Sequence, residues 1–176
     1  MKKIVCILAF IALTISSANE ISAQRFRPLD KSPMDIASFP SSWKESNKIV
    51  RVVYSRPQLK GRPMSKLAPN DKVWRTGANE AAEITFYRDV KFGGKKVKAG
   101  TYSLFTIPGD KEWTIILNNA SNVWGAYTYK EEDDVLRVKA KVSSSIAPIE
   151  AFSMTFDKDM ELYLGWGYTI VSVPIK

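Results

Sequence analysis

The sequence predicts an all-β domain, an antiparallel two-sheet sandwich of jelly-roll type with about eight or nine strands. Three observations carry that expectation. From Lys48 onward, apolar and polar side chains alternate with a period of two in segment after segment. The segments are separated by short runs of Gly, Pro, Asn and Asp, the residues that turns require. No stretch repeats its apolar residues with the spacing of an amphipathic helix.

Before the strands come two segments of other kinds. Met1-Lys2-Lys3 precedes an apolar run from Ile4 to Ile15, and Ile21-Ser22-Ala23 closes it with small residues. An apolar core of roughly a dozen residues is shorter than the roughly 20 needed to span a bilayer, so residues 1–23 are expected to be a signal peptide cleaved after Ala23. The protein is then expected outside the cytoplasm, in the periplasm or beyond, with no transmembrane span in its mature form. Residues 24–47 carry Pro28, Pro33 and Pro40 among scattered serines and read as an irregular leader lying over the sheet through Met34, Ile36, Phe39 and Trp43. Residues 48–176 form the sandwich domain, which suits a monomer with one full-sized core.

The first strand is Lys48 to Ser55, with Val50, Val52 and Tyr54 on one face. A basic loop, Gln58 to Asn70, follows with no element expected inside it. The strand after Glu83 places Ile84, Phe86 and Val90 together, and Gly93-Gly94 supplies the positive φ of a tight reversal into a short strand at Lys95 to Lys98. Thr101 to Ile107 and Glu112 to Asn118 make the next antiparallel pair. Four further strands are expected at Val135 to Val142, Ala151 to Phe156, Met160 to Trp166 and Tyr168 to Ile175, each with an alternating apolar face.

Composition excludes much chemistry. The chain has no histidine, and its one cysteine, Cys6, lies in the apolar leader. A Ser-His-Asp triad, a Cys-His pair, a thiol redox centre and an ordinary zinc site are therefore ruled out of the mature chain. No catalytic residue, metal site or cofactor is expected. Glu131-Glu132-Asp133-Asp134, and Asp157 with Asp159, lack the spaced oxygens and glycine of a calcium loop and read as solvated turns. The formal net charge of +8 bears first on solubility, and nucleic acid is not an expected partner. Lys91, Lys95, Lys96 and Lys98 on one hairpin read as protection of a sheet edge, with polyanion binding as the other reading.

Candidate binding residues cluster in two loops. In Trp74-Arg75-Thr76-Gly77-Ala78-Asn79-Glu80, Trp74 offers a stacking face, Arg75 a fork for carboxylate or phosphate, and Asn79 and Glu80 partners for hydroxyls. The other reading of this stretch is an internal network, in which Arg75 and Glu80 pair across the loop around Gly77. Either way Arg75 and Glu80 are expected to face the same space, with Trp74 packed at the loop base and Arg56 or Arg62 nearby. Trp124, Tyr127 and Tyr129 in the second loop suit either an aromatic platform for sugar rings or closure of the sandwich end. The expected ligand is small and polar or carbohydrate-like. An alternative is a carboxylate-dependent glycan hydrolase using Glu80 with Glu83 or Glu112, and a third reading is a structural partner for another envelope protein.

Tyr54 to Pro63 (YSRPQLKGRP), Val73 to Ala81 (VWRTGANEA), Ala99 to Gly109 (AGTYSLFTIPG), Glu112 to Asn118 (EWTIILN) and Trp124 to Tyr127 (WGAY) together resemble a family of secreted bacterial proteins, frequent in Bacteroidetes, known as domain of unknown function 2911. The resemblance covers most of the chain after the leader and implies an exported single domain. It brings no activity, cofactor or catalytic residue with it.

Overall fold

A computed structural model describes residues 26–176, so the signal peptide expected over residues 1–23 lies outside the described residues. The regular structure of the described residues is mostly strand: β1 (Met34–Phe39), β2 (Val50–Ser55), β3 (Ala82–Phe86), β4 (Val90–Phe92), β5 (Lys95–Val97), β6 (Gly100–Ile107), β7 (Glu112–Asn118), β8 (Asp134–Phe156) and β9 (Glu161–Pro174). A seven-stranded antiparallel sheet runs β1-β2-β3-β6-β7-β8-β9, and β4-β5 form a separate two-stranded hairpin.

The alternation expected from sequence is the alternation that packs. Val50, Val52 and Tyr54 of β2, Ile84 and Phe86 of β3, and Trp113, Ile115 and Leu117 of β7 are all buried in one core. Facing them in the same core are Phe152 and Met154 of β8 and Leu162, Leu164, Trp166, Val171 and Val173 of β9. The sheet therefore folds back on itself, its β8-β9 arm covering its β2-β3-β6-β7 arm. The seam is hydrogen-bonded: the Tyr54 hydroxyl donates to the Met154 carbonyl (3.2 Å) and accepts from its N–H (2.8 Å), and Phe152 N–H donates to the Pro57 carbonyl (2.9 Å). The β4-β5 hairpin joins the second layer through a bridge from Phe92 to Ile175.

Four differences from the sequence reading have physical causes. The four strands expected after Val135 are two long ones, since β8 and β9 bend without breaking. Pairing steps from Ser144↔Thr169 to Ile149↔Gly167, so β8 carries surplus residues that bulge outward with Ile146 fully exposed. Gly167, the partner of Ile149 at that step, has φ of 59° and so takes the left-handed backbone that the bend requires. Second, the leader holds a strand, β1, in register with β2 from Met34↔Ser55 to Phe39↔Val50; Pro33 and Pro40 flank it on an edge, where a missing donor costs nothing. Third, within that leader Phe39 packs on Phe156 at 6.4 Å, whereas Met34, Ile36 and Trp43 are exposed instead of lying on the sheet. Fourth, the basic loop contains one helical turn, α1 (Met64–Leu67).

Candidate functional site

The outer face of β6-β7 carries a second apolar cluster, Ala81, Phe105 and Ile116, against which Val73, Val123, Ala126 and Tyr129 pack. Those covering residues come from the two loops singled out by sequence, and the two loops meet there. Ala81 N–H donates to the Val123 carbonyl (2.8 Å), and Gly125 N–H donates to the Asn79 carbonyl (2.9 Å). Between these bonds Glu80 and Trp124 form an antiparallel bridge. A pair flanked by hydrogen bonds in this way is the narrow kind, with Cα atoms roughly 4.5 Å apart and both side chains on the same side. Glu80 is exposed and Trp124 is 57% exposed, so a carboxylate and an indole project together from the surface.

Glu80 also lines a cleft of about 210 Å³ with Val53, Ser55, Glu83 and Asn122. The Glu83 carboxylate accepts the Asn122 N–H at 3.2 Å. Tyr127, 82% exposed, lies against Gly125, where a Cβ would meet its ring at 2.6 Å. The backbone leading to this rim is strained: Thr76 has φ of 55° and Asn79 of 61°. Asn tolerates the left-handed region, but a β-branched residue there is an outlier costing about 1–3 kcal/mol, held only where its surroundings fix it. The buried Thr76 hydroxyl bonds the Thr106 hydroxyl (3.2 Å), and Gly77 lies against β2, where a Cβ would be 3.0 Å from the Ser55 carbonyl oxygen.

The sequence candidates divide. Trp74 is 6% exposed, stacked on Trp166 (5.4 Å, 12°) with Phe152 and Trp113 edge-on; it is a core residue whose faces are all taken. Arg56 donates to Asp35 Oδ2 (2.9 Å), the Phe152 carbonyl (3.1 Å) and Ser153 Oγ (2.7 Å), clasping β1, β2 and β8 together. Arg62 spends its donors on the Leu59 and Gln58 carbonyls of its own loop. Arg75 makes no ion pair with Glu80 among the described residues, and its Nε is buried without a partner. Asn79 lies beneath the leader, beside Pro28 to Ser32. Glu80, Trp124 and Tyr127 are the candidates that reach solvent at one rim. Glu112, offered as a carboxylate partner for Glu80, instead pairs with Lys139 at 3.1 Å.

Sequence reasoning missed the network that holds the second loop in place. Asp134 belongs to the acidic run read as a solvated turn, yet its side chain is only 8% exposed. It accepts from Asn118 Nδ2 (2.8 Å), the Tyr129 hydroxyl (2.7 Å) and Arg137 Nε (2.6 Å), while Arg137 Nη2 donates to the Tyr129 hydroxyl (2.7 Å). Burial, then the bond to Asp134, pushes the Tyr129 hydroxyl up to about 12, with Arg137 opposing. Arg137 is itself pushed above its ordinary value, chiefly by the hydrogen bond to Asp134. The only sequence signal was the period of β8, which already placed Arg137 on the face opposite Leu136 and Val138. Tyr129 closes the fold, edge-on to Phe105 at 5.1 Å, so the aromatic loop divides as well: Tyr129 packs inward while Trp124 and Tyr127 stay outside.

The fold and rim together describe an all-β domain with a small cleft, lined by apolar side chains and by Glu80 and Glu83, near exposed aromatic side chains. The chain belongs to the family described as Protein of unknown function (DUF2911), whose model matches residues 32–175. No curated protein and no solved structure matches it.

Proposed function

We propose that the protein is a non-catalytic binding module for a small polar or carbohydrate-like ligand, acting outside the cytoplasm after loss of the signal peptide expected over residues 1–23. The observation that carries this reading is the narrow Glu80↔Trp124 pair, whose Glu80 also lines the cleft. A carboxylate accepts hydroxyl hydrogens while an adjacent indole face covers apolar C–H groups, so one ligand with both kinds of surface satisfies both side chains. The cleft, at about 210 Å³, is smaller than the roughly 300 Å³ at which drug-sized pockets begin and suits one small ring or the end of a chain. A second reading, glycan hydrolysis, is favoured by one observation: Glu80 and Glu83 line the same cleft.

A thermal-shift screen of residues 24–176 against monosaccharides, sugar acids and small organic acids tests the binding reading. A ligand at a hundred times its dissociation constant adds about 2.7 kcal/mol. The expected result is a shift with at least one sugar or sugar acid that is lost in Glu80→Gln and in Trp124→Ala. A shift that survives both substitutions removes the rim from the account. Release of reducing ends from a glycan, abolished by Glu80→Gln or Glu83→Gln, replaces binding with hydrolysis.

A further inference from the structure

The β4-β5 hairpin carries a feature independent of the rim. Lys91 of β4 is the cross-strand partner of Lys96 of β5, and on its other side Lys91 exchanges both main-chain hydrogen bonds with Lys176, N–H to carbonyl at 2.6 Å and the reverse at 2.9 Å. Lys96, Lys91 and Lys176 are therefore in register across neighbouring strands. Val90, Val97, Phe92 and Ile175, at adjacent positions, are buried, so alternation turns all three lysines outward, where they are exposed. With strands about 4.8 Å apart, the row places three ammonium groups along roughly 10 Å. It lines a concavity of about 660 Å³ together with Lys98 and Asp89. Asp89 is committed elsewhere, accepting from Lys98 Nζ (2.7 Å) and the Ala99 N–H (2.9 Å), and no ion pair among the described residues involves Lys91, Lys96 or Lys176.

Like charges placed directly opposite one another weaken a sheet. Edge protection explains lysine on β5 but not on β4, which is hydrogen-bonded on both sides. A bound anion explains both. We propose that this row is a binding site for an acidic glycan, a linear sugar chain bearing carboxylate or sulfate groups. Lysine ammoniums are point charges that meet carboxylate or sulfate groups singly, as spaced charges along a linear chain present them. The lining has no arginine and no aromatic side chain, which disfavours single-stranded nucleic acid and its need for stacking. The row sits in a hollow with no large exposed apolar side chain in it, which disfavours a lipid surface.

The test measures binding of the purified chain to polygalacturonate and to dextran sulfate, with anionic phospholipid vesicles and an oligothymidylate alongside. Three forms are compared: wild type, the row variant Lys91→Gln/Lys96→Gln/Lys176→Gln, and a charge-matched control, Lys44→Gln/Lys66→Gln/Lys72→Gln. At least one glycan is expected to bind, with affinity weakening as salt rises, tenfold or more loss in the row variant and under threefold loss in the control. A Lys→Arg row variant keeps the charge and is expected to retain glycan binding, which guards against a row variant that fails to fold. Equal losses in both Gln variants reduce the effect to net charge and overturn the proposal. So does an absence of glycan binding, or binding confined to vesicles or oligonucleotide.

Discussion

Trp74 and Glu80 belong to one loop, yet they sit in different media. Trp74 is enclosed by Trp113, Phe152 and Trp166, whereas Glu80 stands in water beside Trp124. Between them the backbone turns through the strained Thr76 and Asn79, with Gly77 against β2. The base of the loop is fixed by the core, and the rim is held in place by that base without being needed by it. A cluster of site-type residues in sequence therefore resolves into an anchor and a presented edge, and only the edge is available to a ligand.

The largest effect expected from this contrast lies at the base. Trp74→Ala removes a ring that touches three others in a fully packed core, and truncations of this kind cost about 3–5 kcal/mol. Denaturant unfolding should show a lower midpoint with an unchanged slope, and near-ultraviolet circular dichroism should lose the band of the stacked Trp74–Trp166 pair. A loss near that expected for a surface residue, within about 0.5 kcal/mol, breaks the distinction between base and rim.

Next in size is the network under the second loop. Asp134→Ala leaves the donors of Asn118, Tyr129 and Arg137 without their shared acceptor, a loss of about 1–3 kcal/mol. The Arg137–Glu131 contact of 3.1 Å is far more exposed, so Glu131→Gln should move stability by less than about 1 kcal/mol. The ranking sharpens the comparison, since it separates two acidic residues of one four-residue run by burial alone. If the two variants destabilise equally, the buried network is not what holds the loop.

How much of this was legible in the sequence depends on which force decides. Period-two alternation reports burial directly, so the faces of β2, β3, β7, β8 and β9 could be read from Val50, Ile84, Trp113, Leu136 and Leu162 onward. The continuity of β8 and β9 could not, because a bulge and a glycine bend interrupt the alternation in the same way as a turn. Trp74 and Trp124 are the same residue type in similar polar loops, and what separates them is which side of β6-β7 the chain reaches, a tertiary fact. Asp134 was misread for a related reason: its partners Asn118 and Arg137 lie on β7 and β8, whose pairing shifts register at Asn118↔Asp134, and no local pattern encodes that shift.

A subtler effect follows from Tyr129, the inward-facing aromatic of the loop that presents Trp124 and Tyr127. Its hydroxyl is pushed from an ordinary 10 up to about 12 by burial and by Asp134. The folded state therefore holds the proton more tightly than the unfolded one, so this contribution to stability is fully present below pH 10 and is lost as pH rises from 10 to 12. Tyr129→Phe should be less stable than wild type at pH 8, and the gap should narrow across that window. A gap independent of pH places Tyr129 outside the network and with the solvent-facing Tyr127.

The smallest expected effect bears directly on the rim. Arg75 and Glu80 are opposite charges in one glycine-containing loop, which suggests a clasp, but the two share no ion pair among the described residues and the Arg75 Nε is buried without a partner. A double-mutant cycle of Arg75→Ala and Glu80→Gln should therefore be additive to within about 0.5 kcal/mol in denaturant unfolding. Glu80→Gln alone should fall within about 0.5 kcal/mol of wild type, as an exposed substitution does, while Arg75→Ala costs more through lost packing of its stem. Additivity leaves Glu80 free to serve a ligand beside Trp124. A coupling above about 1 kcal/mol returns it to the base of the loop, as half of a structural clasp, and takes the carboxylate away from the proposed site.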